Sequence, residues 1–160
     1  MTTENTITPE QYSERIDRSS WRRGPWDGEP DFVRFESHGL PCIVLRHPRS
    51  GHLCGYVAVP PGHPWHGVDF ATLWREDGCP NVHGGVTYAE RCAGSVCHVA
   101  KPGDPDDVWW LGFDANHAWD VSPRDASWGD GDYRDIGYMR RECERLAEQC
   151  AARAESPDAH

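Results

Sequence analysis

The segment FDANHAWD carries Asp114, His117 and Asp120 at intervals of three, and NVHGGVTYAE sets His83 beside two glycines. Imidazole and carboxylate are donor types of catalytic zinc, which takes three protein ligands and keeps one position for water. If a helix starts at Asp114, His117 lies one turn above it, so the pair can share an ion or a proton. His83, Asp114 and His117 are therefore expected to hold a divalent metal, zinc by donor type, although 31 positions separate His83 from Asp114. Asp120 is expected to orient a histidine from behind, and His63, within PPGHPWHG, to act as acid or base. The competing structural reading makes Asp114 a helix cap and His117 a surface residue.

Gly84-Gly85 sharpens the question. Glycine loses the most backbone entropy on folding and packs nothing, so the pair marks either a bulge or a place where something approaches the main chain closely. In a second function class the same region is a ligand cradle without catalysis. Gly84 and Gly85 then offer main-chain N–H groups to an anion. Thr87 and Tyr88 line the cradle, and Trp65, Trp109 or Trp119 stacks on a flat group. A sulfur set, Cys79-x3-His83 with Cys92-x4-Cys97-His98, is a poorer zinc pattern, because adjacent strand residues such as Cys97 and His98 point to opposite faces. Nothing local lowers a thiol pKa for nucleophilic catalysis. P-loop, GxGxxG, HExxH and GxSxG motifs are absent.

These groups need a scaffold. Apolar-leaning runs at 31–37, 40–47 and 52–59, joined by turn residues, read as an antiparallel meander. Further strands are expected at 82–90, 95–100 and 108–114, the last, VWWLGFD, buried on both faces. The stretch 68–80 is ambiguous and has room for a helical turn. Ile136, Met139, Cys143, Leu146 and Cys150 recur at spacings of 3, 4, 3 and 4, which predicts one helix over 133–155, capped by Asp132, with a buried stripe against the sheet. The expected fold class is α+β: an antiparallel or mixed sheet of five to six strands with the C-terminal helix packed on one face.

The chain has 160 residues, enough for one domain with one real core. That domain is expected over 21–155. Residues 1–20 form a polar segment, either loose or forming a short helix after Thr8-Pro9-Glu10, and 156–160 form a disordered tail. The net charge of −10 argues against a duplex nucleic acid partner, which needs a basic face, but leaves room for a small molecule or nucleotide. Seven cysteines, no signal-type leader and no apolar run of membrane-spanning length point to a cytoplasmic protein with reduced thiols, not a membrane protein.

Taken together, the blocks GPWDGEPDFVRF (24–35), CGYVAVPPGHPW (54–65), VHGGVTYA (82–89), VCHV (96–99), PDDVWWLGFDANHAWD (105–120) and YRDIGYMRRECERLAEQ (133–149) resemble a family of small bacteriophage and actinobacterial proteins. No established activity comes with this resemblance. It implies a stand-alone cytoplasmic accessory protein of phage type. Such a protein is either a small enzyme or one that binds a host nucleotide signal and so counters defence. Two functions therefore stand side by side. One is a metal-assisted hydrolase acting on a small phosphorylated or nucleotide substrate. The other is a non-catalytic binder of a small nucleotide ligand.

Overall fold

The computed structural model describes residues 7–75, 78–96, 107–124 and 131–155. The expected tail at 156–160 and the part of the expected 95–100 strand from residue 97 onward lie outside them. In chain order the elements are α1 (Pro9–Ser13), a 3-10 turn (Pro25–Gly28), β1 (Phe32–Ser37), β2 (Leu40–Arg46), β3 (Leu53–Val59), α2 (Phe70–Arg75), β4 (Tyr88–Arg91), β5 (Trp109–Asp114) and α3 (Ile136–Glu155). The architecture is α+β. The five strands run β1-β2-β3-β5-β4 with every pairing antiparallel, and α3 packs across β1, β2 and β3.

Local chemistry accounts for the connections. His38 (φ 53°) and Gly39 (φ 75°) both sit in the left-handed region, as a two-residue hairpin loop matching the strand twist requires. β2 alternates between two buried faces. Cys42 and Val44 join Val57, Leu111 and Phe113 beneath the α3 stripe of Met139, Cys143, Leu146 and Cys150. Ile43 and Leu45 turn the other way, into a second cluster with Ala58 and Trp110 that Ile7 and Tyr12 close. The N-terminal segment thus belongs to the domain from residue 7. Thr8 and Gln11 form a capping box for α1, and the buried Tyr12 hydroxyl donates to the Arg46 carbonyl at 2.6 Å.

Two expected boundaries move. The strand expected over 82–90 is confined to Tyr88–Arg91, because Gly84 (φ 70°) and Gly85 (φ 82°) turn the chain out of extended geometry. The helix expected from 133 begins at Ile136, and its cap is Asp135, whose Oδ1 accepts from the Tyr138 N–H at 2.8 Å. Asp132 stands four residues before Ile136, and its carbonyl accepts from the Val121 N–H, whereas the Asp135 carbonyl takes the Met139 N–H. No described helix is long and apolar enough to cross a membrane. Cys42, Cys54, Cys79, Cys143 and Cys150 are free thiols, whereas Cys92 is disulfide-bonded.

Candidate metal centre and adjoining cleft

Three structural pieces converge at the C-terminal end of β5. The 82–87 loop delivers His83, the turn after β5 delivers His117 and Asp120, the chain entering α3 delivers Arg134, and the first turn of α3 delivers Tyr138. The turn is closed by the Asp120 N–H donating to the His117 carbonyl, while the His117 N–H donates to Asp120 Oδ2 at 3.0 Å. The bridge between Asp120 and Asp132 then ties this turn to the chain entering α3.

Asp120 is the hub. Its side chain is 1% exposed, and its carboxylate lies 3.0 Å from His83 Nε2, 3.2 Å from His117 Nδ1 and 3.0 Å from Arg134 Nε. Burial alone raises a carboxyl pKa. Here the hydrogen bonds from His83, Arg134 and the His117 N–H outweigh it and hold Asp120 below the usual carboxylate range. His83 is fixed at its other nitrogen, with Nδ1 2.8 Å from the Tyr138 hydroxyl, and its main-chain N–H donates to Glu142. A tyrosine hydroxyl both donates and accepts, so it can pair with Nδ1 when Nε2–H donates to Asp120 and also when Nε2 offers a lone pair to an ion. One donor atom from each of His83, His117 and Asp120 falls within 4.8 Å of the others, which makes this group able to hold a metal ion. Ligands of a tetrahedral zinc stand roughly 3.4 Å apart.

What comes close to the glycine pair is a side chain. A Cβ on Gly84 would lie 2.2 Å from the His117 ring, and one on Gly85 would lie 2.4 Å from the Trp74 indole. Gly84 thus lets the His117 ring lie against the main chain next to His83, whose ring centroid is 5.7 Å away.

Several expected placements need correction. Asp120, not Asp114, completes the cluster. Asp114 Oδ2 accepts from the Thr87 hydroxyl and Oδ1 from the Asn116 N–H, which leaves Asp114 3.8 Å from His117 Nδ1. His63 is not an acid or base of this site. It is buried, its Nδ1 accepts from the Trp65 N–H, and its Nε2 contacts the Cys150 carbonyl near the far end of α3. The Gly84-Gly85 main chain offers an anion at most one of its two N–H groups. The Gly85 N–H already donates to the Val82 carbonyl, and the Glu142 carboxylate stands beside the preceding peptide. The tryptophans are dispersed. Trp65 is core, Trp109 bonds the Val68 carbonyl beside His66, and Trp119 is 71% exposed. In the sulfur set, Cys79 is exposed and free, Cys92 is disulfide-bonded, and Cys97 and His98 lie outside the described residues.

Thr87 and Tyr88 do border a cleft, of about 270 Å³, which Asp114 separates from the His–His–Asp cluster. His47 and His52 form another of its walls, with rings stacked 4.9 Å apart. Burial of His52, whose Nδ1 pairs with the Ser50 hydroxyl at 2.6 Å, pushes its pKa down to about 4. Sequence reasoning missed these two histidines, and it missed Arg134, Tyr138 and Glu142. The latter three recur every four residues, one polar stripe flanking the apolar one, and that spacing was the available signal. His47 and His52 flank the PRSG turn between two apolar strands, a weaker cue.

No protein-family model matches the chain, and it matches no curated protein and no solved structure.

Proposed function

We propose that the protein is a metal-assisted hydrolase acting on a small phosphorylated or nucleotide substrate, with His83, His117 and Asp120 as ligands of a zinc ion. The observation that carries this reading is one buried carboxylate in contact with two imidazoles, one of them 36% exposed, with only Asp114 between them and a cleft. Two nitrogens and one carboxylate oxygen suit zinc and leave a position for water. An ion held there acts as a Lewis acid and lowers the pKa of its water. Arg134 and Tyr138 orient Asp120 and His83 from outside, as partners of ligating groups do. Asp114, 29% exposed and beside His117, is the carboxylate placed to accept a proton at Oδ1.

A second reading has its own support. Asp120 already receives hydrogen bonds from Arg134, His83 and the His117 N–H, so the cluster is satisfied without an ion. In that case the protein is a non-catalytic binder of a nucleotide signal, in keeping with a phage-type accessory role. Purified protein incubated with zinc, dialysed and analysed for metal separates the two. The hydrolase reading expects about one zinc per chain, lost in His83→Ala, together with zinc-dependent turnover in a panel of phosphomonoesters, phosphodiesters and nucleotides. Metal-free protein that binds a nucleotide without turnover would establish the second reading.

A further inference from the structure

The cleft beside the cluster has a chemistry of its own. Its floor is aromatic. Tyr56 and Tyr88 meet edge to face, with centroids 5.2 Å apart and an interplanar angle of 82°. That floor depends on Gly112 of β5, where a Cβ would lie 2.5 Å from the Tyr56 ring and 3.1 Å from the Tyr88 Cβ. Gly112 does not have a positive φ, so it serves to leave space for the rings. The His47 and His52 rings, inclined by only 17°, add a flat wall. His47 Nδ1 faces the main-chain N–H groups of Arg49 and Ser50, so it is an acceptor, and the proton of the neutral ring sits on Nε2.

The charge of the cleft is equally defined. None of its described lining residues is Lys or Arg, and the Asp114 carboxylate faces it. Burial lowers the pKa of both histidines, so they are neutral near pH 7. Among the lining residues a phosphate would meet a carboxylate and no cation, while Arg124 and Arg49 act on His47 from outside the lining. A flat neutral ring would meet aromatic faces, the Asp114 acceptor and the Asn116 amide, which presents a donor and an acceptor side by side. The size, about 270 Å³, lies just below the usual range for small-molecule sites and suits one ring system with its immediate substituent, not a dinucleotide.

We infer that this cleft binds the uncharged heterocyclic ring of the ligand, of nucleobase type, between the Tyr56–Tyr88 floor and the His47–His52 wall. Asp114 and Asn116 read its hydrogen-bonding edge. The inference rests on the proposed function for the direction of the ligand. Asp114 stands next to His117, so a group carried by the ring is directed toward the cluster. The ring site itself needs no metal.

Calorimetric titration of the full chain tests this, using the four common nucleosides, ribose 5-phosphate and inorganic phosphate as probes. At least one nucleoside should bind saturably without zinc. Asn116→Ala, an exposed change, should weaken it tenfold or more, and His83→Ala should leave it within about twofold. Binding of ribose 5-phosphate or phosphate with no nucleoside binding would overturn the assignment, and so would equal nucleoside affinity in Asn116→Ala. Nucleoside binding by a protein that takes up no zinc would remove the hydrolase reading and leave this one standing. Zinc uptake without nucleoside binding would do the reverse.

Discussion

Two charged networks meet the start of α3, and they are built in opposite ways. Arg46 itself is fully enclosed. The side chain is 0% exposed, and its five N–H donors have five acceptors: Asp31, Glu29, the Tyr133 hydroxyl and the carbonyls of Gly51 and Pro30. Asp31 is also bound by Arg18 and Ser13, and Glu29 accepts from Tyr133 and from the Ile136 N–H. Around Asp120 one buried carboxylate faces outward-lying partners, with His117, Arg134 and Tyr138 all reaching solvent. Arg46 has no donor left for a ligand, and the second network aims imidazole nitrogens at one point. Burial of charge alone therefore does not mark a functional site. Convergence of donor atoms with access to solvent is what makes the second group able to hold an ion.

The two are linked through sequence. Tyr133 belongs to the closed network and Arg134 to the open one, and Glu29 holds the first turn of α3 from which Tyr138 reaches His83. The closed network is thus the anchor of the open one. Arg46→Met should therefore have the largest effect on stability. It leaves Asp31 and Glu29 without their buried cation, which costs about 3–5 kcal/mol when one partner of a buried pair is removed. Urea unfolding measures it. A loss below about 1 kcal/mol would show that the network does not hold the fold, and the contrast between closed and open networks would collapse.

Gly84→Ala should come next, and it acts on the open side. The left-handed backbone costs an L-residue roughly 1–2 kcal/mol, and the new methyl group displaces the His117 ring. The protein should still fold, with zinc uptake lost. Retained stoichiometric zinc in a folded Gly84→Ala variant would mean that His117 is not a ligand.

Acid should act on the closed side. Burial raises the Asp31 carboxyl, but the hydrogen bonds from Arg18, Ser13 and Arg46 outweigh it, so its folded pKa is depressed. The resulting stability is fully present above the unfolded value of about 3.9 and is lost as pH falls through the folded one. Denaturant midpoints measured from about pH 5 downward should therefore decline. Asp31→Asn should flatten that decline, and an identical profile in the variant would remove Asp31 as its source.

How much of this the sequence disclosed follows from the range of the interactions involved. The α3 stripe and the meander were legible because period 3.6 and period 2 are local consequences of burial, and Gly84-Gly85 signalled a close approach because only glycine leaves that space. The choice of Asp120 over Asp114 was not legible. It depends on a bridge to Asp132 that brings Arg134 across, and a spacing of three residues looks the same on either side of His117. His63 misled for the same reason. A histidine in a proline-rich loop reads as exposed until α3 docks and offers it the Cys150 carbonyl. The cap of α3 moved to Asp135 because the bridge to Asp120 holds Asp132 in extended chain outside the helix.

The finest test of the contrast is Tyr138→Phe. The ring is kept, so its edge-to-face contact with His83 (centroids 5.4 Å apart) and the Arg134 guanidinium over its face remain available. Only the hydroxyl 2.8 Å from His83 Nδ1 is removed. His83 is partly exposed, so water can replace that partner, and the stability loss should be no more than about 0.5–1.5 kcal/mol, the net worth of one hydrogen bond. A structural histidine would register nothing else. A ligand would, because the hydroxyl holds the ring in register and accepts from Nδ1–H while Nε2 offers its lone pair. Removing such a partner weakens metal binding by about 10–100-fold. Zinc affinity by competition with a chelator should therefore fall far more than stability does. If affinity stays within about twofold and stability within about 0.5 kcal/mol, the ordinary range for a neutral surface change, Tyr138 does not tune His83, and the His83–Asp120 contact is another closed pair of the Arg46 kind.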